Sequence, residues 1–331
     1  MPFSSLVGNE LIKKLLKRGV AEGRIGQGLI LAGPRGVGKH KFALALAQAV
    51  NCERPLEGDA CGQCIPCRKI VASEHLDVQT ISRDGQFIKI DQMREMSREA
   101  QFRPFEGRRR VYILDDAERL KEQAANSILK TLEEPPETSL ILLVTSKPYA
   151  LIETIRSRCQ MLNFAPLSVA ELEEHLAANH KRPIEEIRML ARLARGSIGH
   201  ALEIDLGEYR KTRGIILELV ETMAVSRDAV RLMNAAEYLG KKLEREEFEQ
   251  HMDVLMEILA DLFHLKLGDT RESLTNSDVA ERLTRIAEPL TLNEIFEWVD
   301  GIEKVLQGLV RNLNRQLAME ALLVGSRDFG S

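Results

Sequence analysis

The chain has 331 residues, 44% hydrophobic and 29% charged, with a formal net charge of −4. Single cores stop growing near ~250 to 300 residues, so this length implies more than one domain, and the acid excess excludes a generally basic nucleic-acid binder, leaving DNA contact to a local patch or to partner subunits. No segment reaches the ~20 uncharged apolar residues of a membrane span, and Glu10, Lys13 and Lys14 interrupt the first segment too early for a signal peptide, which places the protein in the cytoplasm with no membrane partner.

In chain order, the apolar runs 29–32, 78–81, 111–114, 140–145 and 161–164 have strand length, and helical patterns over 39–50, 91–101 and 122–132 fall between them. That alternation predicts an α/β domain, a parallel sheet with helices on both faces. Around Pro166 the character changes, and from Ser168 onward only helical periodicity remains, broken at Gly196, Gly207, Gly240 and Gly268. Ser168 and Glu171 form a capping box that opens a helix. The expected parts are an α/β core over 1–166, a small helical segment over 167–207 and an all-α domain over 208–331.

The stretch GPRGVGKH follows the first strand and opens a helix. Gly33, Pro34, Gly36, Val37, Gly38 and Lys39 fit a phosphate-binding loop, in which glycines let backbone amides turn towards an anion and the lysine adds a point charge. A glycine-rich turn with an exposed lysine is the plainer reading. Where such loops place a hydroxyl on magnesium, this one has His40, and an imidazole is a poor magnesium ligand in either protonation state. Asp115 and Asp116 end the third strand; Asp115 is placed for magnesium, while Asp116 is about one methylene short for orienting an attacking water. Without the loop, the same pair reads as a helix cap and first-turn acid. ATP or ADP is therefore a possible ligand and Mg2+ a doubtful one.

Four of the five cysteines crowd into Cys52, Cys61, Cys64 and Cys67, with spacing C-x₈-C-x₂-C-x₂-C, and Cys159 stands apart. In a reducing compartment this pattern means metal before disulfides or free thiols, and four sulfurs give zinc a closed tetrahedral, structural site.

Further motifs carry a resemblance. LDDAERL, then Ala124-Ala125-Asn126 with Leu129-Lys130-Thr131-Leu132-Glu133-Glu134-Pro135-Pro136, then LVTSKP and Ser157-Arg158-Cys159 resemble bacterial clamp-loader AAA+ subunits of DNA polymerase III, over roughly residues 1–205. The helical C-terminus is similar only in general, through NLNRQLAMEALL near its end. The resemblance implies an AAA+ core, a small helical lid and a helical collar that joins gamma/tau and delta subunits in a five-membered ring, loading a sliding clamp on primed DNA. It also implies that Arg158 is an arginine finger reaching a neighbour's phosphates, although a helix C-terminal arginine balancing the dipole has the same local look. Thr145 matches the family's sensor position, or is simply a β-branched strand end. The cysteine cluster resembles the family's inserted zinc module.

Within the family, the ATP-burning gamma/tau motors carry Thr after the loop lysine, Asp-Glu at the strand end and Arg in G-S-x-R. This chain has His40, Asp115-Asp116 and Gly199 there, a pattern that resembles the delta-prime type, which acts as a stator. A motor of the same complex, a freestanding AAA+ remodelling ATPase and a zinc-and-helix scaffold are the alternatives. The basic run Arg108-Arg109-Arg110, with Arg103 nearby, is read as solvated surface or a contact for DNA or a partner. His75, His180 and His200 are read as ordinary surface or core residues.

Overall fold

A computed structural model describes residues 1–309 and 313–324. Five strands, β1 (Gly28–Ala32), β2 (Val78–Ile81), β3 (Arg110–Leu114), β4 (Ser139–Thr145) and β5 (Gln160–Asn163), make one parallel sheet in the order β2-β3-β4-β1-β5. Both faces are covered. On one, Leu29, Leu31, Val111, Ile113, Leu140 and Leu142 pack with Phe42 and Leu46 of α2 (Lys39–Asn51), near α1 (Glu10–Ala21) and α3 (Ile65–Val71). On the other, Ile30, Tyr112, Leu114, Ile141 and Leu143 meet Met93 and Met96 of α4 (Ile90–Ala100) and Ile128 and Leu132 of α5 (Glu122–Glu133). Successive strand residues point to opposite faces, so a strand covered on both must read as a continuous apolar run. All seven residues of β4 are buried.

Strand order fixes where a ligand can sit. From β1 the chain crosses to the far edge at β2, returns through β3 and β4, passes α6 (Glu153–Arg156) and then places β5 on the other side of β1. The order reverses at β1, and the crevice at the carboxyl ends of strands around such a reversal is where open α/β sheets bind ligands. Register sets Ala32 of β1 opposite Thr145 of β4, and Leu114 of β3 opposite Leu143.

Three short helices complete a first compact unit, Met1–Glu203: α7 (Val169–Asn179), α8 (Ile184–Leu193) and α9 (Ile198–Glu203). Ser168 Oγ accepts the Glu171 N–H at 3.2 Å while Glu171 accepts the Ser168 N–H at 2.8 Å, the expected capping box. The break at Gly196 also forms. Arg195 and Gly196 have φ of 47° and 83°, the left-handed turn that ends a helix.

The second unit, Ile204–Ser331, is helical throughout its described residues: α10 (Leu206–Glu221), α11 (Ala229–Glu237), α12 (Arg245–Lys266), α13 (Ala280–Ala287), α14 (Leu292–Leu309) and α15 (Arg315–Leu323). Phe248, Leu255, Ile258, Leu262, Trp298 and Met319 form its core. Gly207 does not break the chain as expected; it lies in the first turn of α10, its N–H accepted by the capping carboxylate of Asp205 at 2.7 Å. Asn312, which begins the C-terminal stretch carrying the family likeness, lies outside the described residues.

Candidate nucleotide site, metal centre and exposed arginine

The loop 33–38 leaves β1 and enters α2. Gly36 and Gly38 have φ of 72° and 96°, which turn successive peptides in a way side chains resist. Val37 points into the core and anchors the loop from below. Lys39 is 6% exposed, and its ammonium donates to the carbonyls of Gly33 at 2.8 Å and Pro34 at 2.6 Å. Burial lowers its pKa, against the pull of Glu118, Asp115 and Asp116.

Asp115, at the end of β3, faces the loop. His40 Nδ1 lies 3.3 Å from Asp115 Oδ2, without the alignment of a hydrogen bond. The imidazole beside it holds the Asp115 carboxyl below the ordinary range despite the opposing effect of burial. Asp116 has a left-handed backbone, φ 52° and ψ 47°, and its carboxylate lies 3.9 Å from Arg83 Nε. Thr145 ends β4, buried, with Oγ1 accepting the Lys147 N–H at 3.0 Å.

Two features of this site were not anticipated. Glu118, three residues past Asp115, accepts the Ser146 hydroxyl at 2.6 Å on one oxygen, while its other oxygen is buried without a partner. It thus joins the turn after β3 to the end of β4 and adds a third acid near Lys39. The spacing D-D-A-E held the only sequence signal. Gly199, expected as a missing side chain, is also a contact: its N–H donates to the Gly36 carbonyl at 3.1 Å.

The four clustered cysteines come together. Their sulfurs all lie within 4.8 Å of one another, with Cys52 Sγ and Cys64 Sγ 3.9 Å apart, and none forms a disulfide. Thiolates ~2.3 Å from one ion stand ~3.8 Å apart in a tetrahedron, so the four can hold a metal such as zinc. The N–H groups of Cys61 and Cys64 point at the sulfurs of Cys52 and Cys61, at 3.2 and 3.4 Å. The knuckle is tied to its surroundings twice. Asp59 accepts the N–H groups of Phe3 and Ser4 at 2.8 and 3.0 Å, and fully buried Gln48 of α2 donates to the Cys67 carbonyl at 2.7 Å.

Arg158 stands apart from the loop, exposed, two residues beyond α6. Its Nη2 meets Glu133 Oε1 at 2.5 Å and its Nη1 donates to the Thr154 carbonyl at 2.9 Å. The basic run is less solvated than expected. Arg109 donates to the Ile25 carbonyl at 3.4 Å, and Arg110 donates to the Glu99 and Arg103 carbonyls and lies 3.3 Å from the buried carboxylate of Asp77. Arg103 and Arg108 remain exposed. His75 is buried beside them, its Nδ1 accepting the Asp77 N–H at 3.2 Å.

A sheet in this order, a glycine loop between β1 and α2, acids at the end of β3 and a helical region following in the chain define an AAA+ P-loop protein. The chain belongs to the clamp-loader subunit family of DNA polymerase III: the family described as "DNA polymerase III, delta subunit" matches residues 8–168 and that described as "DNA polymerase III, delta subunit, C terminal" matches 217–327. It is 28% identical over 322 residues to DNA polymerase III subunit delta' of Bacillus subtilis, covering 96% of each chain. It is 35% identical over 211 residues to DNA polymerase III subunit tau of Escherichia coli, covering 61% of this chain and 32% of that protein. A solved DNA polymerase III gamma subunit-related protein of Thermotoga maritima overlays with a TM-score of 0.44 at 22% identity, covering 95% of this chain and 98% of that one. No helix among the described residues is long and apolar enough to cross a membrane.

Proposed function

We propose that this chain is a delta-prime-type subunit, a stator that holds nucleotide weakly or statically and completes a neighbouring ATPase site with Arg158. The observation that carries this reading is the state of the acids around an intact loop. Asp115 faces His40 where a magnesium hydroxyl ligand is needed, and Asp116 has a left-handed backbone with its short carboxylate 3.9 Å from Arg83. Hydrolysis needs a seated metal and an oriented water, and neither acid is arranged for its part. Gly199 offers no guanidinium to a γ-phosphate. Residues 167–207 would then serve as lid and 208–331 as collar, in a five-membered ring with gamma/tau and delta subunits acting on the sliding clamp and primed DNA. The cysteine knuckle would hold structural zinc.

A motor of the gamma/tau type is the second reading, favoured by the 35% identity to the tau protein. The two separate on reconstitution with motor and delta subunits. For a stator, the isolated chain with Mg-ATP releases no phosphate, and Arg158→Ala cuts the DNA-stimulated ATPase of the complex at least ~10-fold while assembly persists, a fraction of the ~10³ to 10⁵ such a residue supplies because other sites keep firing. Brisk turnover by the isolated chain, or an unchanged rate with Arg158→Ala, refutes it.

A further inference from the structure

We infer that Glu133 is the positioning residue of Arg158: its carboxylate sets the direction of the guanidinium and leaves two of its N–H groups free for an anion on a neighbouring subunit. This rests on reading Arg158 as a finger in trans.

Glu133 is the last residue of α5, where the partial negative charge of the helix end disfavours an acid. Its exposed neighbour Glu134 adds to that cost. The acid is accounted for by what it meets, since Glu133 Oε1 takes Arg158 Nη2 across 25 residues of sequence. On the other side, Nη1 donates to the Thr154 carbonyl at 2.9 Å and reaches Ser157 Oγ at 3.3 Å. Acceptors from two elements hold a planar group more tightly than one would. Both elements are fixed: Leu132 precedes Glu133 in the core, and buried Ile155 and Cys159 flank the arginine turn.

These contacts use at most three of the five guanidinium N–H groups. Nε–H and the second N–H of Nη2 remain for an anion to accept, in charge-assisted hydrogen bonds of the kind a guanidinium makes to phosphate. The pair is partly exposed, 32% for Arg158 and 47% for Glu133. Exposed ion pairs contribute little stability, so Glu133 orients the arginine without holding it back from a stronger anion. Orientation and competition predict opposite signs on removing the acid.

The test uses the complex reconstituted with motor and delta subunits, clamp and primed DNA. Glu133→Gln should lower the DNA-stimulated kcat about 3- to 10-fold with KM for ATP unchanged, and the double variant with Arg158→Ala should be no slower than Arg158→Ala alone. In the isolated chain, nitrogen-15 spectra of the arginine side chains should show separate Nη signals for Arg158 that merge in Glu133→Gln, while the melting temperature stays put. A kcat at or above wild type in Glu133→Gln, with Arg158→Ala impaired, overturns the inference and leaves the finger standing. If Arg158→Ala is itself unimpaired, the finger reading falls first; merged Nη signals already present in the wild type defeat the positioning role independently.

Discussion

Gly199 donates its backbone N–H to the carbonyl of Gly36 at 3.1 Å, so the first turn of α9 rests directly on the glycine loop. The first N–H groups of any helix lack partners within it, and here one finds the loop. The approach needs two residues without side chains. A Cβ on Gly199 would stand 3.0 Å from Gly36 Cα, and one on Gly36 would stand 2.1 Å from Ser197 Oγ at a φ of 72°. Gly199→Arg, which restores the motor-type residue, is therefore expected to destabilise the first unit by about 1–3 kcal/mol, the usual cost of overpacking. At roughly 2–4 °C per kcal/mol the melting temperature should fall by several degrees. No shift would mean that the loop yields freely.

On the stator reading, a single substitution should not confer hydrolysis. His40→Thr supplies the hydroxyl that magnesium wants, but Asp116 stays left-handed and a methylene shorter than Glu, and Gly199 stays bare. Phosphate release by His40→Thr with Mg-ATP is expected at background. Measurable turnover would show that Asp115 and the loop suffice, with Glu118 as the acid nearest to replacing Asp116.

Much of this site was legible because its parts are local. The glycine loop, the capping box at Ser168 and the cysteine spacing each act over fewer than twenty residues, and strands covered on both faces must be apolar throughout. Strand ends were less visible where polar residues extend them: Arg110 joins β3 because its guanidinium reaches Asp77, and Gln160 begins β5 at the sheet edge. What sequence could not give is direction and distant pairing. Glu118 meets Ser146, Gly36 meets Gly199 and Glu133 meets Arg158 only after the sheet has formed. The inward turn of Arg109 and Arg110 likewise depends on acceptors from other segments, so their charge alone suggested a solvated surface.

Asp77 organises the loop that displays Phe102 and Phe105. Its carboxylate is fully buried and accepts the N–H groups of Phe105, Glu106 and Gly107 at 2.7, 2.7 and 2.8 Å, with Arg110 at 3.3 Å. Burial alone would raise its pKa; the three N–H groups and Arg110 overcome that and hold it below the ordinary range. A depressed pKa means that this group's stabilisation is complete above the unfolded value of ~3.9 and is lost as pH falls from there towards the folded one. Asp77→Asn should cost about 3 kcal/mol near neutral pH, as for one member removed from a buried charged network. Urea titrations between pH 3 and 7 should show the variant losing less stability on acidification than the wild type. Parallel curves would remove Asp77 from the acid response.

The knuckle and the glycine loop share α2, which begins at Lys39 and carries Gln48 to the Cys67 carbonyl. Zinc binding in comparable peptides is worth ~10–16 kcal/mol, far more than this short segment can gain from its own core. Purified protein should contain one zinc per chain, and Cys64→Ser should lose it. Because Asp59 holds Phe3 and Ser4 from within the knuckle, the loss should spread: hydrogen exchange is expected to rise over residues 1–6 and 48–67, while β3 and β4 stay protected by their two-sided burial. Full protection of the knuckle in metal-free protein would mean that packing around Gln48 and Asp59 suffices without an ion.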